Sequence, residues 1–119
     1  VLTSAGRIVT GCNVENASYG LSLCAERVAI HRAIAEGHRG LEAVAVSAGP
    51  RGKPPVGATP CGACRQVLAE FGVKVVILDD PNAGPGEILF GDLLPHPFEA
   101  TSLAMKPSTP PGTQRRRTG

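Results

Sequence analysis

The 119-residue chain has no tryptophan, one tyrosine and three phenylalanines, so aromatics make up only 3% of it. Its core has to be built from Val, Leu, Ile and Ala, a composition that suits helices packed on a sheet. No apolar run reaches 18 residues, which excludes a membrane-spanning helix. No charged-then-apolar leader precedes the first motif, and a cytoplasmic location is expected on that ground. A basic stripe is missing as well. Residues 1–98 carry eight Lys/Arg against nine Asp/Glu, and residues 99–119 carry four basic residues against Glu99. A nearly neutral body without interleaved aromatics does not track a nucleic-acid backbone, so neither nucleic acid nor membrane is expected as a partner.

What the chain does have is four cysteines, three of them in a metal-like arrangement. Two disulfides are conceivable, but without a leader reduced thiols in a cytosolic protein are the better reading. Cys24 opens the run Cys24-Ala25-Glu26-Arg27, and Cys61 and Cys64 belong to Pro60-Cys61-Gly62-Ala63-Cys64. Three thiols can hold one zinc ion and leave a fourth position open, where Glu26 can move protons. An open site with a resident carboxylate is hydrolytic, whereas a structural zinc site is closed by a fourth protein ligand. The chain therefore reads as an enzyme.

The chain spells strand, helix, strand, helix, strand, an α/β domain of two or three layers. Val1–Leu2 end a strand, Thr3–Gly6 turn, and residues 7–14 alternate as a returning strand. Asn13 and Glu15 then project from one side of a strand end. An amide and a carboxylate so placed can grip vicinal hydroxyls, or can simply form a solvated end. Cys12, on the opposite face, is expected to pack as a small hydrophobe. A first helix is expected over Leu23–Glu36, stopped by Gly37, and a second over Cys61–Phe71, stopped by Gly72. Apolar runs at Leu41–Ala48 and Val73–Leu78 read as buried strands. Asp79–Gly86 is turn material, Glu87–Phe90 a short strand, and Gly91–Leu94 a helical turn. Residues 99–119, rich in Thr, Ser, Pro and Gly with Arg115-Arg116-Arg117 near the end, are expected to be a disordered tail beyond a 1–98 domain.

Right-handed crossovers place both helices on one side of the sheet and bring both helix N-termini to one edge. Cys24 then lies in the first turn of one helix, with Cys61 and Cys64 in that of the other. On a continuous helix Cys24 and Glu26 diverge by about 200°. At a helix start this matters less, because free N–H groups there favour thiolate from several directions. Arg27 and Arg65 follow cysteines at +3 and +1, and either guanidinium can hydrogen-bond a sulfur and draw off charge. Surface ion pairs with Glu36 or Glu70 are the alternative. His31, His38 and His96 lack the spacing of a closing fourth ligand.

Three segments in series resemble the small zinc-dependent cytidine deaminases. They are Gly11-Cys12-Asn13-Val14-Glu15-Asn16-Ala17-Ser18-Tyr19, Cys24-Ala25-Glu26-Arg27 and Pro60-Cys61-Gly62-Ala63-Cys64-Arg65-Gln66, and Leu93-Leu94-Pro95 followed by Phe98 matches the family's ending. The resemblance covers residues 1–98. It implies one Zn²⁺ per chain on Cys24, Cys61 and Cys64, and Glu26 as the proton shuttle that turns free cytidine or deoxycytidine into the uridine product plus ammonia, a step of pyrimidine salvage. It assigns Asn13 and Glu15 to the ribose and the Ala25 backbone to the base edge. Family members of this size are homotetramers, so the resemblance places Tyr19 and Phe98 at a neighbouring subunit's site. It also implies a three-layer α/β/α sandwich with a mixed central sheet. The family begins with a helix and a strand, and this chain starts inside that strand, so the N-terminal helix and part of the first strand are expected to be missing. Competing readings are a deaminase of another aminopyrimidine nucleoside (blasticidin type), a structural zinc module closed by a histidine, and a thiol–disulfide protein using Cys61 and Cys64.

Overall fold

The computed structural model describes residues 1–104. Its elements are β1 (Leu2–Thr3), α1 (Ala25–Ala35), β2 (Leu41–Val46), α2 (Gly62–Glu70), β3 (Val75–Asp80), β4 (Gly84–Leu89), α3 (Phe90–Leu93) and α4 (Ala100–Ala104), with a 3₁₀ turn at Tyr19–Leu21. The sheet is mixed, in the order β1-β2-β3-β4. The β2–β3 pair is parallel and is joined through α2, whereas β1–β2 and β3–β4 are antiparallel. This is the α/β architecture expected. Among the described residues no helix is long and apolar enough to cross a membrane.

Both helices pack into one core against the sheet; the crossover rule bears only on α2, because α1 joins the antiparallel pair β1–β2. Ile30 and Ala33 of α1 and Leu68 of α2 are fully buried against Val44 and Val76 of the sheet, with Val9, Val73 and Phe90 closing the edges. Leu41 and Val44 are three apart, yet both are buried. A bulge explains this: Leu2 pairs Ala43 while Thr3 pairs Leu41, so β2 carries one extra residue and its pleat is re-phased. On the opposite face Ala43, Val75 and Leu89 stand in register, and Leu89 is 66% exposed.

Both helices end as their glycines dictate. Gly37 and Gly72 take φ of 99° and 72°. Around them His38 N donates to Ala33 O and Gly37 N to Ile34 O, and Val73 N donates to Leu68 O and Gly72 N to Ala69 O. These bonds satisfy carbonyls that would otherwise be orphaned at a helix end.

Four expectations need correction. The returning strand over residues 7–14 reduces to a short hairpin, in which Val1 and Val9 exchange backbone bonds at 2.7 and 2.9 Å. Beyond Val9 no described residue lies alongside to extend the ladder, and only an isolated bridge at Val14 remains. Cys12 is consequently exposed rather than packed. The expected short last strand is a six-residue edge strand, β4, paired along all of β3. Asp80 Oδ1 accepts from Asn82 N and Ala83 N at 2.7 and 2.9 Å, which confines the turn to three residues. Pro85 is tolerated in β4 because an edge strand needs only one of its two hydrogen-bonding sides. Finally, Ala100–Ala104 forms helix α4 inside the segment expected to be disordered. The rest of that tail, 105–119, lies outside the described residues.

Candidate active site

The site is built at the two helix starts. Cys24 and Cys61 are not in the first turns but at the N-caps, with extended backbones (φ −73°, ψ 154° and φ −70°, ψ 171°). An N-cap side chain lies beside the free N–H groups of its helix, so both sulfurs sit in the positive end of a macrodipole. Cys64, one turn into α2, is fully buried.

Local contacts deliver Cys24 to its place. Leu23 and Val14 exchange two backbone bonds at 2.8 and 2.9 Å. They close a loop whose interior is held by Ser18 N to Asn16 Oδ1 at 2.8 Å and Asn16 N to Ser22 Oγ at 2.9 Å. Asn13 then caps α1 from outside, accepting from Ala25 N at 2.9 Å through Oδ1. Of the Ala25 backbone, which the resemblance assigns to the base edge, the N–H is thus bonded to Asn13. Glu15, like Asn13, is exposed, and neither lines the cavity described below.

The second helix start is fixed by Arg65. It was expected at a thiolate, but its Nε donates to Pro60 O at 2.8 Å and its Nη1 to Leu93 O at 2.7 Å. One residue past Cys64, it points about 100° around the helix from that sulfur. Arg27, three past Cys24, returns to the same side, and its Nη2 lies 3.8 Å from Cys24 Sγ and 3.4 Å from Ser22 O. Gln66, which the sequence reading did not single out, donates to Phe98 O at 2.8 Å and brings the end of the domain to α2. Phe98 itself is 59% exposed and Tyr19 89% exposed.

The three sulfurs of Cys24, Cys61 and Cys64 lie within 4.8 Å of one another, and Cys61 Sγ is 3.5 Å from Cys64 Sγ. All four cysteines are free thiols. Tetrahedral Zn–S bonds of about 2.3 Å put sulfurs about 3.8 Å apart, so the donor set fits zinc. The group contains no histidine among the described residues; His31 and His96 are exposed and His38 half-buried.

The electrostatics point the same way. The backbone amide of Cys64, followed by its thiol, lowers the Cys61 pKa against the effect of burial. Burial pushes the Cys64 thiol far up, and the neighbouring Cys61 and Cys24 thiols and the Glu26 charge push it further. Arg27 is held more firmly protonated, chiefly by its bond to Cys24. Its Nε is buried without a hydrogen-bond partner among the described residues. Such a cluster of sulfurs beside a carboxylate is stable as thiolates only with a cation among them.

A cavity of about 340 Å³ opens beside this cluster. Residues 8–11 form one wall and residues 44–47 the other, and Ala25, Glu26 and Ala29 of α1 line it between them. Its size suits a small molecule. None of the three cysteines lines it, but Ala25 and Glu26, the two residues after Cys24, do.

Comparison with known proteins agrees with this construction. The family model described as the cytidine and deoxycytidylate deaminase zinc-binding region matches residues 1–79, which hold Asn13, Glu15, Cys24, Glu26, Cys61 and Cys64. The cytidine deaminase of Halalkalibacterium halodurans is 42% identical over 105 residues, covering 87% of this chain and 76% of that protein. The cytidine deaminase of Mycobacterium tuberculosis is 44% identical over 102 residues, covering 86% and 71%. A crystal structure of cytidine deaminase from Burkholderia pseudomallei superposes with a TM-score of 0.67 at 40% identity, covering 82% of this chain and 76% of that one. By sequence and by fold, the chain belongs to the zinc-binding cytidine and deoxycytidylate deaminase family.

Proposed function

We propose that the chain hydrolyses free cytidine or deoxycytidine to the uridine product and ammonia, with Cys24, Cys61 and Cys64 holding zinc and Glu26 carrying the proton. The observation behind this reading is the convergence of three thiols within 4.8 Å at two helix starts, with Glu26 in the first turn of one of them and lining the cavity. Zinc bound there supplies the Lewis acidity that makes attack by water feasible at neutral pH.

Glu26 takes the proton from the attacking water, gives it to N3 of the pyrimidine, and then transfers a proton to the departing amine. The C4–O bond forms first, as N3 takes its proton; the C4–N bond then breaks as the proton of the new C4 hydroxyl passes to the amine, so that C4=O and ammonia result. Arg27, beside Cys24, offsets part of the negative charge of three thiolates. Asn13 and Glu15, both exposed, hold the ribose hydroxyls. The backbone of Ala25 faces the base. Arg65 acts as a strut for the α2 start. The resemblance gives Tyr19 and Phe98 to a neighbouring subunit's site in a homotetramer, and both are exposed, as that placement requires. Four free thiols suit a reducing cytoplasm.

A histidine-closed structural zinc module and a thiol–disulfide exchanger are not favoured. Neither gives Glu26 a function, and the second gives none to Cys24. The deciding experiment follows cytidine absorbance and ammonia release on a sample whose zinc is measured in parallel. The expected result is about one zinc per chain and uridine with equimolar ammonia. A zinc-loaded sample that leaves cytidine intact would sink the reading.

A further inference from the structure

The segment Thr10–Asn13 belongs to no strand, yet three contacts press it along α1. Arg32 Nη1, in the third turn, donates to Thr10 O at 3.2 Å and lies 3.4 Å from Thr10 Oγ1. At the helix start, Ala25 N donates to Asn13 Oδ1 at 2.9 Å. Between them Gly11 lies flush on the helix backbone. A Cβ added there would stand 2.5 Å from Ala29 N and 2.6 Å from Ala25 O. Those two atoms are the donor and acceptor positions of one i→i+4 helical bond. Gly11 is not among the glycines with positive φ, so it is the missing side chain, not an unusual backbone, that the position requires.

We infer that Gly11 and Arg32 are positioning residues, which seat Thr10–Asn13 on α1 and so fix Asn13 at the helix start that carries Cys24 and Glu26. The inference rests on the reading of Asn13 as a substrate-binding group. The contacts obstructing a Cβ are backbone atoms of a helix, which cannot swing aside as a long side chain can. Restoring ordinary contact of about 3.4 Å means that the segment lifts by nearly 1 Å or the first turn of α1 shifts. A displacement of that size at a binding group is costly, since misplacement by about 1 Å can reduce turnover on the order of a hundredfold. Arg32 contributes less. Its side chain is about half exposed and is shared with Glu36 at 3.2 Å.

The test uses the zinc-loaded 119-residue chain carrying Gly11→Ala, Arg32→Gln, Asn13→Ala and the two doubles with Asn13→Ala. Cytidine KM and kcat, zinc content and the Ala25 amide resonance are measured for each. Gly11→Ala is expected to raise KM by about tenfold or more with zinc retained, and Arg32→Gln by about two- to threefold. In the Asn13→Ala background both increments should largely vanish, because coupled residues are non-additive. Both single variants should also move the Ala25 amide resonance toward its position in Asn13→Ala. An unchanged KM, or increments that multiply in full on Asn13→Ala, overturns the inference. If Gly11→Ala does not fold, the same criteria are applied to Arg32→Gln, whose change is at the surface. If the unaltered chain fails to turn over cytidine, the proposed function falls, and the amide resonance alone decides the seating: no shift overturns it.

Discussion

The two helix starts that meet at the thiols are alike in construction and opposite in character. Each has a cysteine at the N-cap in extended conformation, where most helices place Ser, Thr, Asp or Asn. The α1 start is half-exposed, carries Glu26 and Arg27, and is held by contacts close in sequence, Asn13 to Ala25 and Val14 to Leu23. The α2 start carries a second, fully buried thiol and no acid. It is held by Arg65, which reaches Pro60 within its own loop and Leu93 at the end of α3. The buried Cys64 anchors the second start, whose Cys61, Gly62 and Ala63 are exposed, while the half-exposed α1 start lines the cavity with Glu26, the proposed proton carrier. One helix holds and the other works, and each substitution below tests that division.

The largest effect is expected at the anchor. Cys64→Ala removes a buried ligand and opens a void beside Leu68. Zinc content should fall close to zero and all deamination with it, and the melting temperature should drop as metal binding no longer adds to folding. Metal analysis and a melting curve on one sample check this. A variant that retained full zinc would mean that the buried thiol is not an anchor.

Next comes the working helix. Glu26→Gln keeps shape and removes the proton acceptor, so zinc should stay near one per chain while kcat falls by about 10²–10⁴. The contrast with Cys64→Ala is the point: one change empties the site, whereas the other leaves it loaded and idle. Normal turnover by the Gln variant would remove Glu26 from the mechanism.

How much of this division is legible in the sequence depends on whether local pattern or tertiary contact decides a feature. Helix stops at Gly37 and Gly72 are local, and they were readable. So was the pairing of Cys24 with Cys61 and Cys64, because a parallel crossover and two helix starts leave few other arrangements. Only the first half of β4 is hidden in the sequence, because Gly84-Pro85-Gly86 carries turn signals that only pairing with β3 overrides. Cys12 and the returning strand were misplaced for the opposite reason. Alternation alone promised a ladder over residues 7–14, but a strand also needs a partner alongside. A lone glycine inside an alternating stretch is the one local sign that the backbone at Gly11 comes unusually close to something else. Arg65 was misjudged because a spacing of +1 from a cysteine looks close in sequence and is a quarter-turn away on a helix.

Arg65 also offers the smallest and most discriminating test. Its planar guanidinium spans two carbonyls at 2.8 and 2.7 Å, whereas a lysine ammonium at the same place can satisfy one of them at best. Arg65→Lys should therefore cost about 1–3 kcal/mol of stability, seen as a lower melting temperature. Zinc should also leave faster when a chelator is added, since the loop holding Cys61 loses its strut. The rate per bound zinc should hardly change, because Arg65 reaches neither the cavity lining nor a sulfur. Arg27→Lys, on the other helix, should do the reverse and lower the rate per zinc, since its guanidinium lies against Cys24. If the two arginine variants lost rate per zinc equally, charge at both helix starts would feed the chemistry and the separation of anchor from working end would fail.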